Sequence, residues 1–363
     1  MKLYRLGAIP WDETQAVYHA LAQMRQEGLV LCRPLSRCVC LGLHDDLQQE
    51  LDQRYCQENN IPLIRRDIGG GTVLLAEGQL FFQLVLRATN PLLTGKREQF
   101  FHRFLQPAIK TLADFGINAA VKLPADIVVN GKKISGNGAG DINGFAVYTG
   151  NILLAFDRTV MANVLHAASC RYREWIKLSL EKYLTTMGEE LGYMPAIEAV
   201  EKKLADHFAA WLELEPGVYS EDMKEATASI AGYLTSQEFL HLPGKRSKIR
   251  QIKINEGTYV RLHPFPQCIR SSLDGQSRCP GRFGRPCSGY GIMVVQNNRI
   301  IEFESQGLSC LENVNLQSLP QFLNGCYLQE LAVAQALKKW TQNQEDGEAT
   351  LFLDIFSDWI LAR

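Results

Sequence analysis

The chain has 363 residues, of which 46% are hydrophobic, and this size favours two domains over one large core. The formal net charge of -1 and the pI near 6.7 provide no broad field for nucleic acid or an anionic membrane, so we expect neither as a partner. The ten cysteines are scattered without a disulfide pattern, which predicts the reducing cytoplasm. The N-terminus lacks the apolar core of a signal peptide, and no apolar run approaches the ~18 residues of a membrane span, so we expect a soluble protein.

The predicted elements begin with an amphipathic helix in PWDETQAVYHALAQM, where Pro10 and Asp12 act as start signals. The runs LVLCRP and CVCLGL then predict a pair of strands. IPLI and TVLL predict two further strands, with RRDIGGG as the turn between them. LFFQLVL predicts a buried strand, and the apolar spacing of REQFFHRFLQPAIKTLADFG predicts a helix that ends at Gly116.

A hairpin is predicted in DIVVNGKKISG, because Asn130-Gly131 is a strong signal for a tight turn, and NILLAF predicts the next strand. A helix in AIEAVEKKLADHFAAWL is followed by the loose connection PGKRSK. Beyond it, IRQIKINEGTYVRL and IMVVQNNRIIEF predict strands on either side of a turn, and YLQELAVAQALKKW predicts a helix. We therefore predict a first domain over 1–240, a second over 241–345 and a C-terminal tail over 346–363.

Three consecutive glycines, Gly69, Gly70 and Gly71, follow closely on Arg65 and Arg66. Glycines let a ligand approach the backbone amides, and amides exposed in this way form an anion-binding concavity. A guanidinium beside them suits a carboxylate or a phosphate. The motif indicates an anion site, and a glycine-rich hairpin beside two solvated arginines is the alternative.

The predicted hairpin also presents Lys132 and Lys133, whose side chains point to opposite faces of a strand. The pattern Lys-Ile-Ser-Gly places Ile134 in the packing and leaves Lys133 to face a site. A solvated charge is the alternative for either lysine.

The two motifs together, Arg-Arg-x-x-Gly-Gly-Gly-x-Val from Arg65 and Asp-x-Val-Val-x-x-x-Lys-Ile-Ser-Gly from Asp126, resemble the lipoate–protein ligase family. This family lies within the superfamily of biotin/lipoate ligases and octanoyltransferases, and the resemblance covers most of the chain. It implies an α+β fold, with a biotin/lipoate ligase-like catalytic domain of mixed sheets packed with helices and a smaller α+β accessory domain.

The resemblance implies a two-step reaction with ATP, Mg²⁺ and lipoate, or octanoate in its place. The carboxylate attacks the α-phosphate of ATP to form an acyl-AMP, and the acyl group then passes to a lysine of a lipoyl-domain acceptor protein. A glycine-cleavage H protein, a dehydrogenase lipoyl domain and a lipoyl carrier are the possible acceptors.

The resemblance also implies roles for the matching residues. Lys133 is expected to hold the carboxyl and α-phosphate oxygens, and Asp126 is expected to contact Mg²⁺ or the nucleotide. Val73 is expected to touch the acyl chain, although an ordinary core valine is the alternative. The other nucleotide-binding residues are expected to be Ser135, Gly136 and Gly138, and the other substrate-binding residues Arg66, Gly69, Gly70, Gly71 and Gly150.

The chain departs from the family pattern where two histidines are expected. After the glycines it has Leu74, Leu75 and Ala76 in place of aromatic-His-Asp, and Thr149-Gly150-Asn151 stands in place of His-Gly-Thr. The missing imidazoles leave open a catalytically weakened scaffold that binds lipoyl groups.

Cys170 leaves open a second enzymatic reading, an octanoyl or lipoyl transferase that forms a cysteine thioester without ATP. Arg171 and Arg173 would lower the pKa of its thiol, and an incidental cysteine is the alternative. A biotin ligase is disfavoured because its Gly-Arg-Gly-Arg-x-Gly loop is absent from the sequence.

Residues 263–288 of the predicted second domain are rich in cysteine, arginine, glycine and proline. His263, Cys268, Cys279 and Cys287 would supply four zinc ligands, but the close cysteine pairs of zinc sites are missing. We favour a basic loop that meets an acidic acceptor domain, with a disordered insert as the alternative.

Overall fold

The structure is a computed structural model that describes residues 1–247, 249–265, 289–307, 316–344 and 353–361. It divides into two compact units, one formed by Met1–Ala168 with Leu180–Arg246 and the other by Ser169–Ser179 with Ser247–Arg363. The division after Arg246 lies six positions beyond the predicted boundary at 240. The segment Ser169–Ser179, which the prediction placed in the first domain, groups with the second unit.

The first unit is built on two sheets, whose order follows from the pairing of its strands. The strands are β1 (Lys2–Ile9), β2 (Gly28–Pro34), β3 (Cys38–Leu41), β4 (Leu63–Arg65), β5 (Val73–Leu75), β6 (Gln79–Arg87), β7 (Ala120–Lys122), β8 (Asp126–Val129), β9 (Lys132–Ile142), β10 (Phe145–Leu153) and β11 (Glu215–Pro216). The large sheet has the order β11-β1-β2-β6-β10-β9-β8-β7, and the small sheet has the order β4-β3-β5. Parallel and antiparallel pairs occur in both sheets, which are therefore mixed.

Helices accompany these sheets along the chain. They are α1 (Glu13–Gln23), α2 (Leu47–Glu50), α3 (Gln53–Glu58), α4 (Arg97–Asp114), α5 (Arg158–Val164), α6 (Cys170–Tyr183), α7 (Met187–Leu191), α8 (Ile197–Ala209), α9 (Glu221–Leu234) and α10 (Gln237–Leu240). Of these, α6 runs from the second unit into the first.

Both faces of the large sheet are covered, which explains why hydrophobic residues predominate on both faces of its central strands. On β2, Leu29 and Leu31 belong to the core that includes residues of α4 and α8, whereas Val30 and Cys32 belong to the core that includes residues of α1 and the small sheet. Successive side chains of a strand point to opposite faces, so a strand covered on both sides is buried at nearly every position and is mostly hydrophobic.

Local signals in the sequence located most of these elements, but they did not give the pairing. The hairpin at Asn130-Gly131 is confirmed, with both residues at positive φ (49° and 80°) and β8 antiparallel to β9. The predicted pairing of LVLCRP with CVCLGL is wrong, because β2 lies in the large sheet and β3 in the small one. Strand β1 was not predicted, and its parallel pairing with β2 carries no local signal.

The second unit contains an antiparallel sheet of four strands in its described part, β12 (Arg250–Asn255), β13 (Thr258–Pro264), β14 (Tyr290–Gln296) and β15 (Arg299–Gln306). Its helices are α11 (Leu319–Leu323), α12 (Glu330–Gln342) and α13 (Leu353–Leu361). The segment 346–363, predicted as a tail, thus contributes a helix, and Phe356 and Trp359 of that helix are buried in the core of this unit. Within the ranges that the structure describes, no helix has the length and apolar character needed to span a membrane.

Candidate active site

The glycine-rich loop connects β4 to β5, the two strands that flank β3 in the small sheet. Gly70 has a φ of 102°, a conformation that side chains rarely adopt. All three glycines are exposed, and a Cβ atom built on Gly69 or Gly71 would meet no atom within 4 Å. The loop therefore presents bare backbone to open space, as the anion-site prediction requires.

The two arginines before the glycines are buried, including Arg66, which was expected to bind substrate. Its Nη2 donates to the carbonyl oxygens of Gly69 (3.2 Å) and Gly71 (2.8 Å), and its Nη1 donates to that of Cys40 (3.3 Å). The Arg66 guanidinium therefore holds the backbone of the loop through these hydrogen bonds. Burial raises the pKa of the neighbouring Cys40 thiol, and the Arg66 charge opposes this rise.

Arg65 is fully buried and ties distant backbone segments together. Its Nη1 donates to the carbonyls of Gly42, Leu43 and Asp45, at 3.2, 3.1 and 2.7 Å. Its Nη2 donates to the carbonyls of Leu240 (2.5 Å) and Leu242 (3.4 Å). The solvated arginine pair, the alternative considered from the sequence, is therefore wrong.

A second loop, residues 42–45, supports the glycine-rich loop from the side. The Leu43 amide donates to the carbonyl of Ile68 (3.2 Å), and the Thr72 hydroxyl donates to the Asp45 carboxylate (2.8 Å). A Cβ atom on Gly42 would lie only 1.9 Å from the carbonyl oxygen of Gly70. Position 42 must therefore be glycine for the two loops to touch, a requirement that the sequence analysis missed.

Lys133 lies on β9, directly after the predicted hairpin turn. Its Nζ is 2.9 Å from Oδ1 of Asp126 on the neighbouring strand β8, and the two side chains are 22% and 4% exposed. The backbone carbonyl of Lys133 accepts a hydrogen bond from the Thr185 amide (2.9 Å). Lys132, one position earlier, is exposed, so the predicted difference between the two lysines is present in the structure.

The two sequence motifs meet in the folded protein. Ile68 of the glycine-rich loop is buried, and Cβ atoms built on Gly138 and Gly140 of β9 would lie 3.9 and 3.2 Å from it. A Cβ atom on Gly136 would lie 3.1 Å from Cε and 3.2 Å from Nζ of Lys133. The glycines of β9 thus allow the loop to pack on one part of the strand and Lys133 to lie along another.

The remaining predicted residues have varied surroundings. Val73 is 39% exposed, so it is not an ordinary core valine. Ser135 is buried, with its hydroxyl 3.2 Å from the amide oxygen of Asn137. Gly150 has no free space, because a Cβ atom there would lie within 2.0 Å of Asn137 and 2.5 Å of Phe82, so packing alone requires this glycine.

Two amide side chains near Lys133 were not predicted as site residues. Asn151 Oδ1 accepts from the backbone amide of Gly136 (2.9 Å), and Asn151 Nδ2 donates to Gln79 Oε1 (3.0 Å). Gln79 is completely buried at the start of an apolar strand. A buried amide needs hydrogen-bond partners, so a glutamine next to the apolar residues of a predicted buried strand was the sequence signal that could have identified Gln79.

Cys170 is exposed at the first residue of α6, in the segment that groups with the second unit. Arg171, which was expected to lower its pKa, bonds with Glu304 and Glu174, at 2.5 and 2.6 Å for the shortest contacts. The four cysteines of the first unit are buried free thiols, namely Cys32, Cys38, Cys40 and Cys56.

Residues 266–288, including Cys268, Cys279 and Cys287, lie outside the described residues, so most of the segment predicted to bind an acceptor domain or zinc lies outside them too. His263 is described and buried, with Nδ1 3.0 Å from the carbonyl oxygen of Trp359, and burial lowers its pKa to about 4. No cluster of three or more His, Cys, Asp or Glu side chains that could hold a metal occurs within the ranges given above.

The mixed sheets, the exposed glycine loop and the Lys133–Asp126 pair all lie in the first unit, and the comparison with known families concerns the same part of the chain. The model of the lipoyl protein ligase A/B catalytic domain matches residues 8–209. The chain belongs to this family, which confirms the resemblance inferred from the two motifs.

Similar curated proteins include both ligases and transferases. The lipoate-protein ligase LplJ of Bacillus subtilis is 33% identical over 99 residues, which cover 27% of this chain and 28% of the relative. The octanoyltransferase LipM of Kyrpidia tusciae is 23% identical over 222 residues, covering 54% of this chain and 81% of the relative. The chain thus spans well under two thirds of the length of the first of these relatives.

Solved structures with the same fold include a bipartite lipoate protein ligase of Thermoplasma acidophilum, studied with its E2 lipoyl domain. It superposes with a TM-score of 0.59 at 19% identity, covering 68% of this chain and 98% of the other. A lipoate-protein ligase A bound with ATP gives a TM-score of 0.55 at 20% identity, covering 66% and 98%. These likenesses establish the α+β fold that was predicted.

Proposed function

We propose that this protein is an ATP-dependent lipoate–protein ligase that activates lipoate, or octanoate, as an acyl-adenylate and transfers it to a lysine of a lipoyl domain. The observation that carries the proposal is the pair formed by Lys133 on β9 and Asp126 on β8, since other residues of β9 lie against Ile68 of the exposed glycine-rich loop. One cation and a row of bare amides in a partly buried site suit a reaction that gathers negative charge.

In the first step a carboxylate oxygen of lipoate attacks the α-phosphorus of ATP, the bond to the β-phosphate breaks, and pyrophosphate leaves. Both reactants are anionic, so the barrier falls when a cation bridges the attacking carboxylate and the α-phosphate. Lys133 is the residue for this role, because Asp126 holds its ammonium in place before substrate arrives. In the second step the acceptor lysine attacks the acyl carbonyl, loses a proton and releases AMP.

The glycine loop is proposed to bind the acyl-adenylate through its backbone. The open space in front of Gly69 and Gly71 admits a ligand to the amides, and Val73 offers an exposed apolar side chain just beyond them. Mg²⁺ prefers oxygen ligands and retains water, so Asp126 with phosphate oxygens of the nucleotide would suffice to hold it. When bound, the metal would neutralise phosphate charge.

A thioester mechanism is the second candidate, supported by the similarity to LipM. It requires an accessible, ionisable thiol, whereas burial raises the pKa of the Cys56 thiol to about 11 and that of Cys38 well above its ordinary value. Cys170 is exposed, but Arg171 beside it is already paired with two glutamates. These observations favour the ligase.

The test is lipoate-dependent exchange of pyrophosphate into ATP, followed by mass spectrometry of an apo lipoyl domain incubated with protein, lipoate and Mg-ATP. Lys133→Met should lower exchange by about 100-fold or more, because a preorganised charge is lost. Lys132→Met is the matched control, since Lys132 is exposed on the same strand, and it should retain exchange.

The same assay distinguishes the alternatives. Cys170→Ser should leave acyl transfer unchanged; transfer from octanoyl-carrier protein that needs Cys170 but not ATP would instead establish the transferase. Lipoate binding without exchange or transfer by either route would indicate the non-catalytic scaffold suggested by Leu75 and Thr149.

A further inference from the structure

Two side-chain amides form a continuous bridge between strands of the two sheets of the first unit. Gln79 Nε2 donates to the backbone carbonyl of Leu74 on β5 (2.9 Å). Gln79 Oε1 accepts from Asn151 Nδ2 (3.0 Å), and Asn151 Oδ1 accepts from the backbone amide of Gly136 on β9 (2.9 Å). We call this chain of contacts the Gln79–Asn151 bridge.

The bridge joins the two parts of the proposed site. Leu74 follows Val73, the first residue of β5 after the glycine-rich loop, and β5 pairs with β3 in the small sheet. Gly136 lies on β9 of the large sheet, and a Cβ atom there would lie 3.2 Å from Lys133 Nζ. The bridge therefore fixes the peptide along which the Lys133 side chain lies, and connects it to the strand that leaves the loop.

The direction of each hydrogen bond is set by the backbone at the two ends. The carbonyl of Leu74 can only accept, so Gln79 must present Nε2 to it and Oε1 to Asn151. The amide of Gly136 can only donate, so Asn151 must present Oδ1 to it and Nδ2 to Gln79. The two amides satisfy both conditions together, and a change in either one leaves a buried polar group without its partner.

We propose that Asn151 and Gln79 are positioning residues that hold Lys133 in register with the glycine-rich loop. The inference rests on the proposed function, because it assigns these residues to the step in which Lys133 bridges the carboxylate and the α-phosphate. A bridge of this kind acts on the alignment of bound substrates, so its loss lowers kcat for adenylate formation more than it raises KM for ATP.

The experiment compares Asn151→Ala, Gln79→Leu and the double variant in lipoate-dependent pyrophosphate exchange. Each single variant should lower kcat by about tenfold or more, the range expected when a reacting group is displaced from its aligned position. Because the two residues act as one unit, the kcat of the double variant should be no more than about twofold lower than the kcat of the less active single variant.

Gln83→Leu is the matched control. Gln83 lies on the same strand as Gln79, is equally buried and donates from Nε2 to the backbone carbonyl of Thr14 (2.7 Å). Its loss should lower the Tm as the bridge variants do but leave kcat unchanged. If Gln83→Leu lowers kcat as much as Gln79→Leu, or if the bridge variants act additively, the bridge has only a structural role and the inference is overturned.

A second readout does not depend on activity. Trace acetylation with acetic anhydride, read by peptide mass spectrometry, gives the reactivity of Lys133 relative to the exposed Lys132. The ratio should change in Asn151→Ala and Gln79→Leu and stay constant in Gln83→Leu. If the wild-type enzyme is active but the Lys133/Lys132 reactivity ratio is the same in the bridge variants, the inference alone is overturned. If the wild type shows no exchange but the ratio changes in the bridge variants, the proposed function is overturned and the bridge remains.

Discussion

Replacement of Arg65 by methionine tests whether a single guanidinium holds the loops of the site. Five carbonyl oxygens lose a hydrogen bond from Arg65, and the contacts to Asp45 (2.7 Å) and Leu240 (2.5 Å) are the shortest. A hydrogen bond from a charged group contributes about 1.5–3 kcal/mol, so the two short contacts account for roughly 3–6 kcal/mol. Relief of the cost of burying the guanidinium offsets part of this amount. We expect a net loss of about 3 kcal/mol in the free energy of unfolding, a large share of a typical total of about 5–15 kcal/mol.

Urea unfolding followed by circular dichroism measures this loss. Arg65→Lys should be intermediate, since one ammonium cannot replace Nη1 at residues 42–45 and Nη2 at residues 240–242 together. Arg54→Met is the control, because Arg54 is 86% exposed in its pair with Glu58 and its loss should leave the free energy of unfolding unchanged. A loss below about 1 kcal/mol for Arg65→Met would refute the reasoning.

Two further predictions concern the loop and the pH dependence of stability. Gly42→Ala should lower both the Tm and the exchange activity, because the new Cβ would lie 1.9 Å from the Gly70 carbonyl oxygen. Gly69→Ala should raise the KM for lipoate at constant Tm, because the new methyl group would lie in open space. Burial lowers the pKa of His19 to about 4, so the unfolded chain binds a proton between pH 6.5 and 4 that the folded protein does not. The free energy of unfolding should therefore fall as the pH falls through this window. Urea titrations at pH 7 and pH 4.5 should show a smaller fall in His19→Phe than in the wild type. An equal fall in both proteins would contradict the role of His19.

The sequence was sufficient where the structure depends on local chemistry. Asn130-Gly131 specifies a turn with positive φ at both residues, and this turn alone places Lys133 one position into β9. Because successive side chains of a strand point to opposite faces, Lys133 and Lys132 then lie on opposite faces of β9. The family resemblance supplied the fold, because the two motifs occur in the order and spacing of a known catalytic domain.

The sequence was insufficient where a residue's role depends on distant partners. Nothing in the run Arg65-Arg66 shows that both guanidinium groups point inward. The acceptors of Arg65 are carbonyls that lie 20 or more positions away, and those of Arg66 are the carbonyl of Cys40 and two carbonyls within the loop itself. The requirement for glycine at position 42 follows from its contact with Gly70, and the role of Asn151 follows from Gly136 and Gln79. Such pairings exist only in the folded chain.

The hydrogen bonds of Arg65 also decide where the catalytic part of the chain can be cut. Its acceptors Leu240 and Leu242 lie at the carboxyl end of the first unit, followed by Lys245, whose amide donates to the His44 carbonyl (2.8 Å), and Arg246, which pairs with Asp46 (2.8 Å). A shortened protein that stops at the predicted boundary, residue 240, would lose the Leu242, Lys245 and Arg246 contacts and leave the supporting loop untied. The smallest independently folding catalytic fragment should therefore extend through Arg246.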